Sequence, residues 1–186
     1  MNNIEKENRI PGIKDGETFS VGGMEFIKFP DKDGMTPVVM KEIAFTSRFG
    51  DNNNLKESKI LQRMEEEILP KIIAAIGEEN VCTFKTDLTT LDGLNPYGDM
   101  DSRISLPTLD FYRANDEIFD KYNPGRWWWL ATPESAKPHD DPWWILCVSP
   151  SGYVNYCGYF NDFGVRPFLN FKSSIFESFE EVHGRE

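Results

Sequence analysis

Three cysteines, two histidines and a scatter of aspartates are the residues of this chain that could carry chemistry. Cys82, Cys147 and Cys157 form no CxxC pair, and so few histidines argue against a zinc site. With no secretory leader in view, the cysteines read as free thiols. Cys147 and Cys157 flank a turn at Ser151-Gly152, so they are the pair that could meet. A two-residue loop there would set Cys147 opposite Tyr156 and turn Cys157 to the other face; a three-residue loop would bring the cysteines opposite each other. Asp87, Asp92, Asp99 and Asp101 share one loop. An EF-hand needs acids at alternate positions before a glycine and a late glutamate, so these read as a solvated acidic loop. His139 lies beside Asp140 and Asp141, and His183 is in the tail, but no serine has a nucleophile-elbow context. Gly22-Gly23 lacks the rest of any phosphate-cradling loop. The residues therefore predict no catalytic group, no metal and no cofactor.

Recognition chemistry is better supplied. Ser149 to Phe163 reads SPSGYVNYCGYFNDF, a stretch of Tyr, Asn, Gly, Ser, Cys, Phe and Asp with hardly a charge. Binding surfaces use this palette because tyrosine provides rigid amphipathic area while serine, glycine and asparagine provide adaptable hydrogen bonds. On a strand, Tyr153, Asn155 and Cys157 share one face and Val154, Tyr156 and Gly158 the other, so tyrosine stands on both and one set is expected in solvent. The candidate contacts are Trp143, Tyr153, Asn155, Tyr156, Tyr159, Asn161 and Asp162. Arg166 sits between Val165 and Pro167 in an apolar stretch, where a guanidinium must be paired or reach solvent. It is expected to clamp backbone carbonyls or a carboxylate, as a structural residue.

These candidates need a scaffold, and the tryptophans indicate where it is. All five lie between residues 127 and 144. A strand through Trp127-Trp128-Trp129 puts Trp127 and Trp129 on one face and Trp128 on the other, so both faces must be covered or one indole is exposed. Strands are expected at about 126–132, 143–149, 153–159 and 164–171. Earlier strands follow from the alternation around Gly22-Gly23, from Val38-Val39-Met40, continuing through Phe45, and from Val81 to Phe84. Two helices are expected: one from the Asn52–Asn54 caps through Leu69 and broken or kinked at Pro70, the other from Leu106 to about Lys121. Residues 87–103 and 133–142 read as loops. The class is α+β with a mostly antiparallel, twisted sheet. Residues 1–15 read as a flexible arm, 16–172 as one domain and 173–186 as a polar tail.

A formal charge of -11 without a basic stripe excludes nucleic acid and anionic membrane as expected partners. The start has no apolar core of the signal-peptide kind, and no run is long enough to span a bilayer. A cytoplasmic protein is expected, or a virion-associated one.

The order Leu106-Pro107-Thr108-Leu109, Trp127-Trp128-Trp129-Leu130-Ala131-Thr132-Pro133, Ser151-Gly152 and Gly164-Val165-Arg166-Pro167 resembles an uncharacterised bacterial and phage domain family with a C-type-lectin-like fold. The resemblance covers about residues 17–171 and implies that fold. Phage variable receptor-binding proteins share the fold and place their variable residues in the final hairpin before a Gly-Phe-Arg or Gly-Val-Arg close. A non-enzymatic module that binds a protein or carbohydrate through this hairpin is thereby implied, with Trp127, Trp129 and Arg166 as scaffold. Phe160-Asn161-Asp162 is similar to the calcium triplet of sugar-binding lectins, but its Glu-Pro-Asn partner is missing, Leu94 preceding Asn95-Pro96. The likeness extends to formylglycine-generating enzymes, whose reactive cysteine pair and copper would require Cys147 and Cys157 to converge. A structural phage component that oligomerises through the same surface is the third reading.

Overall fold

The computed structural model describes residues 9–137 and 144–177. Strands β1 (Thr18–Val21) and β2 (Met24–Lys28) are joined by Gly22 and Gly23, at φ 57° and 77°. A two-residue hairpin turn needs such left-handed residues, and glycine meets that need without strain. Strand β3 (Met35–Met40) pairs with β2, and β11 (Phe168–Lys172) pairs with β3, giving the order β1-β2-β3-β11. The second sheet is built from β4 (Phe45–Ser47), β7 (Trp128–Pro133), β8 (Trp144–Val148), β9 (Val154–Gly158) and β10 (Phe163–Val165). Its order is β4-β10-β7-β8-β9, and within it only β10 and β7 run parallel. A ladder of β5 (Phe84–Asp87) and β6 (Asp99–Ser102) stands apart, so the stretch expected to be all loop contains a strand. The architecture is mixed α+β with mainly antiparallel sheets.

Ser58 caps helix α1 (Lys59–Arg63), its hydroxyl accepting from the Leu61 amide. A π-helical turn (Met64–Ile68) leads into α2 (Leu69–Ile76). The helical run continues past Pro70, where the sequence suggests a break or kink, and the irregularity there is the π-helical turn just before it. Pro70 sits in the first turn of α2, where the wider π turn has already displaced the carbonyls its ring would strike. The second expected helix begins later than Leu106, at the Thr108 cap. It divides into α3 (Leu109–Ala114) and α4 (Asp116–Lys121) at Asn115, whose side-chain carboxamide donates to the Phe111 carbonyl. Two helices were expected, but four short ones are present among the described residues.

The tryptophan run does what alternation requires. Trp129 and Ala131 enter the larger core with Ile60, Met64 and Ile72 of the α1–α2 side. Trp128 and Leu130 enter the second core with Leu109, Tyr112 and Phe119 of the α3–α4 side. Both faces of β7 are thus covered, and the half-buried Trp127 stacks on Phe163 at 5.3 Å.

The expected strand 164–171 is broken at Arg166-Pro167, because β10 and β11 belong to different sheets. The chain also changes sheet between β3 and β4, after Met40 rather than running on to Phe45. These two crossings lie side by side: the Met40 amide donates to the Pro167 carbonyl (2.9 Å) and Arg166 Nε donates to the Met40 carbonyl (3.1 Å). At the N-terminus, Ile10 of the expected arm donates its amide to the Ile175 carbonyl and packs on the core. Phe176, in the expected tail, is buried edge-on to Phe19. No helix among the described residues is long and apolar enough to cross a membrane.

Candidate functional site

The hairpin β8–β9 closes the second sheet, and β9 is its edge strand. Its loop has three residues, 150–152, with the Ser149 amide donating to the Tyr153 carbonyl (2.8 Å). Two side chains fasten that loop to the helices below. Tyr112 of α3 donates its hydroxyl to the Gly152 carbonyl (2.7 Å), and Asn123 donates to the Pro150 carbonyl (3.0 Å). Gly152 is at φ 86°, which an L side chain rarely adopts. At the far end, Asn161 donates both its amide and its side chain to the Gly158 carbonyl, and the Tyr159 carbonyl accepts from Phe49. The hairpin is therefore held at both ends, while among the described residues no strand pairs with the outer edge of β9.

Register places Val154 opposite Val148, Tyr156 opposite Leu146 and Asn155 opposite Cys147. Val148 and Leu146 belong to the core beneath α3 and α4, but that cover does not extend to β9. Tyr156 is left 55% exposed, touching the ring of Trp144 edge-on at 5.6 Å, and Tyr153 is 73% exposed. The described residues include six exposed large apolar side chains, and Tyr153, Val154, Tyr156 and Phe160 account for four of them. Phe160 lies so close over Gly158 that a Cβ there would strike its ring.

Among the residues singled out from sequence, Tyr153 and Asn155 are exposed on one face and Tyr156 on the other, so both tyrosine-bearing faces meet solvent rather than the one expected, and Asp162 is exposed in the turn beyond. Tyr159 and Asn161 are half-buried, Tyr159 against the core and Asn161 closing its turn. Trp143 lies outside the described residues, as do His139 and His183. Sequence reasoning passed over Val154 and Phe160, although both lie within the stretch it selected. It also missed Tyr112 and Asn123, which hold the hairpin from sequence-distant elements; no local pattern marks such tethers.

The thiols converge in a register that neither expected loop describes. Cys147 faces Asn155, and Cys157 faces Ile145, so the cysteines share a face one pair apart, with Sγ atoms 2.9 Å apart. Cys147 is fully buried; burial first, and then its hydrogen bond to Cys157, push its thiol well above the ordinary range. A thiol kept protonated is a poor nucleophile and a poor metal ligand. Two thiolates on one tetrahedral metal at about 2.3 Å stand about 3.8 Å apart, farther than this pair. The convergence that the formylglycine-generating reading requires of Cys147 and Cys157 is thus present, at a separation shorter than that of two thiolates on one tetrahedral metal. Among the described residues no group of three or more His, Cys, Asp or Glu could hold a metal ion. Of the loop aspartates, Asp92 is tied to Thr90, Ser135 and Lys137, and Asp101 to Lys85.

Arg166 is fully buried over the faces of Trp128 (4.9 Å) and Phe119 (5.7 Å). Burial pulls its guanidinium down to about 10, against the opposing pull of Glu42 and Tyr112. It is packed within the scaffold rather than at the exposed surface.

No family model, no curated protein and no solved structure matches the chain.

Proposed function

We propose that this chain is a binding module of C-type-lectin-like fold that recognises a protein or carbohydrate partner through β9 and the turn that follows it. The observation that carries this reading is the crowding of four of the six exposed large apolar side chains into residues 153–160. Single exposed apolar residues are ordinary, but several clustered within eight residues along one edge strand favour a recognition surface. Tyrosines give that surface area at little entropic cost, and the exposed Asn155 and Asp162 provide hydrogen bonds at its margin. The tethers from Tyr112 and Asn123 fix the strand before any partner arrives, which lowers the ordering cost of binding. The motif order Trp127-Trp128-Trp129-Leu130 to Gly164-Val165-Arg166-Pro167, with its distant resemblance to phage receptor-binding proteins that recognise through a final hairpin, supports the reading.

The test compares the immobilised chain with its Tyr153→Ser, Tyr156→Ser double variant against a glycan array and a native cell extract. The wild type should retain a ligand that the variant loses, with circular dichroism and unfolding midpoint unchanged. Equal retention by both would place recognition elsewhere. Sedimentation of the wild type alone separates partner binding from self-assembly: a monomer at high concentration is expected, and dimers that the double variant abolishes would make a second copy the partner.

A further inference from the structure

A cleft of about 1040 Å³ lies elsewhere, and no hairpin residue lines it. Its floor is the outer face of β3 and β11, at Met35, Pro37, Phe168 and Asn170. Alternation along β11 puts Phe168 and Asn170 on this face and turns Leu169 and Phe171 into the core. Phe84 of β5 forms one wall, Phe111 of α3 another, and the turn at residues 30–33 a third. The three phenylalanines touch in series, Phe84 to Phe168 at 5.1 Å and Phe168 to Phe111 at 4.9 Å, giving a continuous apolar bed.

Asn170 is 7% exposed, yet no described residue hydrogen-bonds its carboxamide. Its polar atoms are not among those sealed from solvent, so they open into the cleft. Buried amides are nearly always satisfied, and one left open at a cleft floor is available to a ligand. The rim carries Asp31, Asp33, Asp87, Asp101 and Asp110 against Lys32 and Lys85. Lys85 is engaged by Asp101 at 3.1 Å, and Asp31 by Lys28 at 3.3 Å. Asp33 and Asp110 have no ion pair among the described residues. Asp87 and Asp110 also border a recess of about 150 Å³ beside Arg113. A concave, low-dielectric wall with surplus negative charge concentrates cations.

We propose that this cleft binds an organic amine whose apolar body lies on Phe84, Phe111 and Phe168 and whose ammonium sits among the rim aspartates. Size and lining suit a small molecule, with a few polar groups placed on an apolar bed. Asn170 offers the neutral hydrogen-bonding group at the floor.

Phenethylamine and its N-acetyl amide have the same ring and differ in charge, which makes them the probes. Titrated into isotope-labelled protein, phenethylamine should give saturable shifts of β11 and α3 amides, and the uncharged amide should bind about ten-fold more weakly. An Asp33→Asn, Asp110→Asn variant changes only exposed side chains. It should weaken phenethylamine by about ten-fold and leave the amide unchanged. The proposal is overturned by any of three results: no saturable shift with phenethylamine, equal affinity for the two probes, or an unaltered amine affinity in the variant.

Discussion

Replacing Arg166 by methionine should leave stability within about 1 kcal/mol of the wild type, although Arg166 is among the largest fully buried side chains. The favourable terms are a charge-assisted hydrogen bond to the Met40 carbonyl, about 1.5–3 kcal/mol, and the Trp128 and Phe119 faces, about 2 kcal/mol together. Opposing them, desolvation of the guanidinium costs several kcal/mol, and Nη1 and Nη2 have no partner among the described residues. Methionine has a similar length, keeps the contact with both rings and needs no partners, losing only the donor to Met40. Arg166→Ala instead leaves a cavity and should cost about 3 kcal/mol or more. Urea unfolding at constant m-value measures both. If Arg166→Met loses as much as Arg166→Ala, the buried charge is a net stabiliser and the reasoning fails.

Tyr112→Phe removes the bond that holds the hairpin loop, so it should cost about 1 kcal/mol and speed amide exchange at residues 151–153. Unchanged exchange there would show that the loop does not depend on this tether. Cys157 should alkylate readily in the native protein, whereas Cys147, with its thiol raised by burial and by Cys157, should not. A mild oxidant should join the two with loss of two hydrogens by mass; prompt alkylation of Cys147 would contradict the burial argument. The Thr90 hydroxyl, helped by Ser135 and Lys137, holds Asp92 down to about 2, below its ordinary 3.8. The stability this contributes is complete above pH 4 or so and is lost as pH falls toward 2. Asp92→Asn should flatten acid unfolding in that window, and an identical acid transition would refute the assignment.

Patterns confined to neighbouring residues were legible in the sequence. Alternation at Trp127-Trp128-Trp129 implied either two covered faces or one exposed indole, and both faces are covered, by different helices. The composition of Ser149 to Phe163 located the exposed hairpin. Features set by partners far along the chain could not be read. Strand β6 looked like loop because Asp99 and Asp101 carry little β propensity, yet pairing with β5 organises it. The division of β10 from β11 depends on which sheet each joins, a choice fixed by the Met40–Pro167 and Arg166–Met40 bonds. Register decided the thiols: a loop starting at Pro150 rather than Ser151 made them diagonal neighbours instead of opposed residues. The amine cleft was also illegible, since β3, β5, β11 and α3 come together only in the fold.

Site-specific photo-cross-linking tests the central claim most directly. A photoreactive phenylalanine analogue replaces Tyr156 in one preparation and Leu91, also exposed but hydrogen-bonded beside the end of β7 rather than carried on β9, in another. Irradiated with the ligand retained in the binding screen, position 156 should form a discrete adduct, and position 91 should not. Equal adducts at both positions, or an adduct at 91 alone, would contradict recognition through the edge hairpin.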